Sequence, residues 1–506
     1  MTKINFSLGL FLTALSLLAG VSVYFLISGG YFIVTGIVAL LFLGTLFIFL
    51  KKDLLHYRFM YPGLVTFFLF MILPICFSIY VGFTNLSTGH FLSPQQVHRL
   101  LLEEKWLADT SSVSPFLLYK NNDQYTIVVK TADAVSYQGT FSLSQEDSSV
   151  SLDITGNPPQ SLSPLPTAEV FAERKELERF EWQLPSGKTL RYFRSDQLAD
   201  LRPRFKEVSS SELLEIESQV LFKADPEKGQ YRSSEGDSLA PGFYVNIGLQ
   251  NFKTIWTSPH IRSSFFKVSL WTLIWATVSV LSTFCLGMIL ALFLNDQKLK
   301  GKRLYRVLLV VPYSIPFFIS ALIFKGMLNQ DFGVLNEGLK HLGAPAIPWL
   351  TDPFWAKISA LTVNLWLGFP YMFLLITGIL QSIPKSLYEA ASIDGANRWQ
   401  SFRRITLPMI LSAITPLLIG SFAFNLNNFV GIYLLTGGGP PIKNAITPVG
   451  ETDILISYTY RLAFEGSQGQ DFGLASSISL FIFVIIALLT LVNFKLSGMM
   501  NPQEVR

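Results

Sequence analysis

Two segments of this sequence set polar groups at helical spacing inside apolar runs. Asn364, Leu367, Gly368 and Tyr371 fall at i, i+3, i+4 and i+7, one face of a helix. Ser421, Phe424, Asn425 and Asn428 repeat that spacing. Amides within hydrocarbon are costly unless they meet protein or a wet cavity. Two chemistries suit such a face. One is recognition of a neutral sugar: amides hydrogen-bond hydroxyls in both directions, rings cover the C–H faces of a pyranose, and the glycine leaves room. The other is bonding between helices, where Asn and Ser join neighbours and Gly lets them approach. The spacing leaves both open.

Between these faces lies Glu389-Ala390-Ala391, three residues, Gly395, nine residues, then Ile405-Thr406-Leu407-Pro408. The pattern predicts a short helix started by Ser382-Ile383-Pro384 and broken at Gly395. A second segment follows and stops at Pro408, where the next apolar run begins. A helix lying along a membrane surface there would offer a carboxylate and small alanines to another protein. An ordinary amphipathic loop is the alternative.

Catalytic chemistry is not expected. Ser186-Gly187-Lys188-Thr189 has the tail of a phosphate-cradling loop but lacks its earlier glycine. The Asp-Phe-Gly triplets at 331 and 471 have no catalytic or glycine-rich loop near them. The five histidines are dispersed, and Cys76 and Cys285 lie in apolar runs and read as buried apolar residues. The sequence therefore predicts no metal, no covalent catalysis and no resident cofactor.

The elements that must position these faces are membrane helices. Of 506 residues, 50% are hydrophobic and only 15% charged, with mean hydropathy +0.41. Soluble chains carry roughly 25% charged residues, so an ordinary cytosolic enzyme and a disordered protein are excluded. Crossing a core about 30 Å thick takes roughly 20 apolar residues. Eight runs qualify: 6–27, 31–50, 61–81, 268–294, 307–327, 355–380, 409–434 and 472–494. The first lacks a small-residue cleavage site and reads as a retained helix. Pro312 and Pro316 predict a bend in the fifth, either a gate or a static kink.

Charge divides the chain. Residues 84–262 hold 18 Lys and Arg against 23 Asp and Glu, and the remainder holds 21 against 12. Basic residues crowd alternate short connections, at Lys51, Lys52 and Arg58, at Lys298 to Arg306, and at Lys385 to Arg404. By the positive-inside rule both termini are cytoplasmic and 84–262 lies outside. Alternation around Tyr125 to Val129 and at 190–193 predicts strands, 170–180 and 211–221 predict helices, and 156–166 an internal linker. The expectation is an all-α polytopic membrane protein with one large α+β insert, divided as 1–83, 84–262 and 263–506. The insert is larger than a spacer needs, which suits docking of a soluble partner.

Glu-Ala-Ala, x3, Gly, x9, Ile-x-Leu-Pro resembles the signature of permease subunits of ATP-binding-cassette importers. The resemblance extends to Asn364-Leu365-Trp366-Leu367-Gly368-Phe369-Pro370-Tyr371, to 421–429, and to Leu435-Thr436-Gly437-Gly438-Gly439-Pro440. Within that family the chain is similar to the large maltose/maltodextrin permease subunits, closely over 240–506 and in topology throughout. The resemblance implies a type I permease with eight helices in a bacterial inner membrane and a periplasmic insert. It places maltose on Asn364, Leu367, Gly368, Tyr371, Ser421, Phe424, Asn425 and Asn428. It places a coupling helix within 382–408, on Glu389, Ala390, Ala391 and Gly395. It implies a second permease subunit, a homodimeric ATPase subunit that binds ATP and Mg, and a periplasmic maltose-binding protein, into which the loop at 437–441 reaches. An importer for another neutral oligosaccharide is the near alternative. An ion-coupled transporter is a further one, though the eight runs hold no Asp, Glu or His. A membrane-anchored receptor would leave the amide faces and the loop unexplained.

Overall fold

A computed structural model describes residues 16–25, 27–28, 32–107, 112–121, 124–133, 135–143, 149–155, 163–194, 196–295, 299–466 and 469–496. The chain divides into two units, one of residues 1–85 with 247–506 and one of residues 86–246. The sequence expectation drew the insert at 84–262. Residues 247–262 belong instead to the helical unit.

The helices of the first unit are α1 (Ser16–Phe25), α2 (Phe32–Leu50), α3 (His56–Gly82), α4 (Gln250–Thr257), α5 (Pro259–Asn295), α6 (Lys302–Ser314), α7 (Phe317–Met327), α8 (Val334–His341), α9 (Pro353–Ser382), α10 (Lys385–Ile393), α11 (Arg398–Leu426), α12 (Phe429–Thr436), α13 (Leu455–Phe464) and α14 (Phe472–Leu496). Among the described residues five helices are long and apolar enough to span a membrane, or six counting α6 and α7 as one broken span. Eight was the sequence expectation. Half of the first run lies outside the described residues, and only the short α1 represents it. The seventh ends at Leu426 because Asn428 leaves helical geometry (ψ 62°) and caps a new helix, accepting from Gly431 N at 3.2 Å. Asn side chains compete with the backbone in this way and favour helix starts. The fifth breaks at Ile315–Pro316, with its halves bent by 90°.

Helix α5 is the axis of the helical core. Gly287 lets α9 cross it closely: a Cβ there would sit 2.8 Å from both Met372 Cβ and Phe373 N. The adjoining cluster contains Phe284, Phe373, Ile376, Ile410 and Ile414. Helix α9 starts at Pro353, where the Asp352 carboxylate accepts from Phe354 N (2.9 Å) and Trp355 N (3.1 Å). Cys76 and Cys285, expected to be buried, are exposed. They join the large apolar side chains displayed along α2, α3 and the outer side of α5, as lipid contact requires.

In the second unit an eight-stranded sheet centres on the antiparallel strands Ser114–Asn121, Gln124–Lys130 and Ser136–Phe141. Alternation in Tyr125, Ile127 and Val129 buries one face against Trp182, Leu190 and Leu198. A four-stranded meander, Phe205 to Ser233, packs on the helix Pro94–Glu103 through Val97 and Leu101. The expected helix at 211–221 is instead a strand, Glu212–Glu215, and a turn. Leu213 is fully buried and faces its neighbours across the sheet, so sheet pairing overrides helical spacing. The stretch 170–180 splits into Thr167–Ala172 and Arg174–Leu177. Most of the expected linker, 156–162, lies outside the described residues.

Candidate functional site

Helices α9 and α11 bring their amide faces to one cavity of about 610 Å³. Seven of the eight residues singled out line it: Asn364, Leu367, Gly368, Tyr371, Ser421, Phe424 and Asn425. Asn428 does not line it. Its Nδ2 donates to Asn364 Oδ1 at 3.2 Å from behind. Asn364 Nδ2 donates in turn to Asn425 Oδ1 (3.0 Å), and Asn425 Nδ2 to Ser421 O (2.8 Å). All three amide side chains are buried. Trp275 Nε1, on α5, donates to Asn425 O at 3.1 Å. The structure shows bonding between helices at all three amides, and Asn364 and Asn425 also face the cavity.

The rings are displayed differently. Phe424 is 65% exposed and Tyr371 36%, so their surfaces are available to a ligand. Gly368 serves close packing too, because a Cβ there would lie 2.9 Å from Thr283 Cγ2. The Thr283 hydroxyl donates to Ser279 O at 2.7 Å, which fixes that side chain. Gly368→Val is expected to cost about 1–3 kcal/mol, as overpacking does, and to narrow the cavity; thermal unfolding and uptake measure the two effects.

The remaining wall comes from the break between α6 and α7, through Pro312, Tyr313, Ser314, Ile315, Pro316 and Phe317. The proline spacing signalled a bend, but nothing in the sequence said that the bend faces the amides. Pro416, Leu417 and Gly420 also line the cavity, and extending the α11 stripe one turn back would have found them. No charged side chain lines the cavity among the described residues. No group of His, Cys, Asp or Glu there could hold a metal.

The loop constellation lies apart from the cavity. Helix α10 follows Pro384 and ends where Gly395 turns left-handed (φ +75°), with Ala396 N bonding Ala391 O at 2.9 Å. It has no buried residue, and Glu389, Ala390 and Gly395 are exposed while Ala391 is half-buried. Asn397 and Gln400 then form a reciprocal cap that starts α11. Contrary to the expected stop, α11 continues through Pro408. A π-turn at Phe402–Thr406 precedes the proline, and Leu407 N bonds Phe402 O. The ladder is already widened where the proline lacks a donor.

Residues 283–502 match the family described as binding-protein-dependent transport system inner membrane component, and residues 92–248 match the maltose transport system permease protein MalF P2 domain. The chain is 39% identical to the maltose/maltodextrin transport system permease protein MalF of Vibrio parahaemolyticus, over 89% of this chain and 87% of that protein. It is 36% identical to the protein of that name in Salmonella typhimurium, over 96% and 95% of the two chains. It is also similar to a chain in the crystal structure of a bacterial alginate ABC transporter, at TM-score 0.44 and 27% identity, over 51% of this chain and 84% of that one. Likeness to curated relatives across almost the whole length, with both halves matched in order, makes this chain a member of the MalF family of maltose/maltodextrin transport system permease proteins.

Proposed function

We propose that this chain is the sugar-binding permease subunit of an ATP-driven importer of maltose and maltodextrins. The observation that carries the reading is the convergence of two uncharged amide-and-ring faces on one cavity of about 610 Å³, within the range of ligand pockets. The relatives are maltose/maltodextrin permeases, and the sugar is assigned by analogy with them. The lining is neutral, which suits an uncharged ligand and offers no group to carry a coupling ion. Asn364, Asn425 and Ser421 bond sugar hydroxyls; Tyr371 and Phe424 cover the ring faces; Leu367 and Gly368 shape the floor; Asn428 braces Asn364.

The chain is non-catalytic. ATP and Mg are bound by a homodimeric ATPase subunit, and α10 docks on that subunit through Glu389, Ala390 and Ala391, with Gly395 ending the helix. A second permease subunit completes the passage, and a periplasmic maltose-binding protein delivers the sugar. In the bacterial inner membrane α1 and α2 complete eight spans of a type I arrangement, with both termini cytoplasmic and the insert periplasmic, as the basic connections require.

The test is ATP hydrolysis by the reconstituted complex across a panel of disaccharides. Stimulation by maltose above other neutral disaccharides supports the reading. Equal stimulation by all assigns a broader oligosaccharide importer. Glu389→Lys reverses the charge at the docking face and is expected to lower maltose-stimulated hydrolysis about tenfold, equivalent to about 1.4 kcal/mol; unchanged transport in that variant removes the assignment.

A further inference from the structure

We propose that Tyr388 is a positioning residue whose hydroxyl ties α10 to the cavity-lining helix α11 through the π-turn. The inference rests on α10 being the ATPase-docking helix and specifies how displacement of α10 reaches the sugar. Helix α10 has no buried residue, so little of it is held by burial. Tyr388 is half-buried, and its ring packs on the cluster containing Ile383, Ile410 and Ile414. Its hydroxyl makes the one side-chain hydrogen bond that α10 forms among the described residues, to Thr406 Oγ1 at 2.9 Å.

Thr406 is 5% exposed, and its Oγ1 lies 3.5 Å from Ser401 O. Either hydroxyl can donate in that bond; when the threonine hydrogen turns to the Ser401 carbonyl, the phenol is the donor. Residues 401 and 406 bracket the π-turn, where the ladder runs from Leu407 N to Phe402 O. Such turns are rare and concentrate at functional positions. Beyond it, Ile410 and Ile414 are fully buried and lock α11 into the core, and Ser421 faces the cavity about 22 Å further on, at 1.5 Å per residue. The hydroxyl thus engages α11 where its ladder is least regular. Movement of α10 draws on Ser401 and Thr406 and shifts the cavity wall with them.

The test uses the assembled importer in liposomes and reads sugar transported per ATP hydrolysed, a ratio that reduced stability alone does not move. Tyr388→Phe and Thr406→Val are each expected to lower the ratio about three- to tenfold, the equivalent of one hydrogen bond. The double variant should fall no further than either, and Thr406→Ser should keep the original ratio. An unchanged ratio in Tyr388→Phe, with Glu389→Lys still uncoupled, overturns this inference alone. A silent Glu389→Lys, with no cross-link between α10 and the ATPase, overturns the docking reading as well. If Tyr388→Phe fails to assemble, the threonine pair decides, and equal loss in Thr406→Val and Thr406→Ser overturns the proposal.

Discussion

Asn425→Ala is expected to reduce maltose uptake about 100-fold while the complex still assembles. Asn425 faces the cavity and is 8% exposed. Its Oδ1 accepts from Asn364 Nδ2, and its own Nδ2 donates to Ser421 O. Under the proposed sugar site, alanine removes one amide from the ligand and frees a second to turn away, since Asn364 is then held only by the donor of Asn428. Two hydrogen bonds to the sugar, at the upper value of about 1.5 kcal/mol each, approach 3 kcal/mol. That is a factor of about 100. Stability should fall by about 1–3 kcal/mol for the same orphaned group.

Phe424→Ala separates ligand contact from helix bonding. The ring is 65% exposed, so its loss should lower uptake with little change in thermal stability. The Trp275 bond goes to the backbone oxygen of residue 425 and survives in both variants. Initial-rate uptake and thermal unfolding on the same preparations are the measurements. Normal uptake kinetics in Asn425→Ala would refute the pocket.

What the sequence made legible depended on regular periods. The i, i+3, i+4, i+7 rows on α9 and α11 are properties of helices, so seven residues of the cavity could be read without knowing where the helices lie. Period alone continues past Leu426 and places position 428 on the same face. The asparagine ends the helix there and turns its side chain to cap the next. The α6–α7 wall was hidden for a related reason. A proline pair says that a helix breaks, and the 90° between the halves is set by packing against other helices. In the second unit, Ser211 to Leu221 carries helix-compatible charges, yet Leu213 and Phe222 meet across two strands, a long-range pairing without a local signature. The Tyr388–Thr406 bond spans 18 residues and required the π-turn, which no residue pattern announced.

Asp453→Ala is expected to destabilise the helical unit by about 3–5 kcal/mol, the cost of removing one partner from a buried ion pair. Asp453 is fully buried. Its Oδ2 receives Gly450 N (2.7 Å) and Arg461 Nη1 (2.8 Å), and its Oδ1 receives Ser457 Oγ (2.8 Å). The glycine-proline turn folds onto this carboxylate. Gly437 and Gly438 are left-handed (φ +61° and +79°), and a Cβ on Gly438 would lie 2.1 Å from Asp453 Oδ1. Only glycine fits there, for conformation and for space. Thr452 staples the turn from the other side, its Oγ1 donating to Gly439 O at 2.7 Å and its N to Gly438 O at 3.1 Å. Alanine at 453 orphans the Gly450 N–H and leaves Arg461 with Glu465 alone. Burial pushes the Asp453 carboxyl above the ordinary carboxylate range, with Arg461 and Ser457 pulling the other way. An amide of the same shape keeps one oxygen for Gly450 N and Arg461, and Asp453→Asn is expected to cost about 1–2 kcal/mol. Thermal unfolding in detergent ranks the two variants, and limited proteolysis between residues 437 and 450 reports whether the turn has come loose. An Asp453→Ala protein with an unchanged unfolding midpoint and an uncut turn would mean that the carboxylate braces nothing, and that the glycines answer to some other constraint.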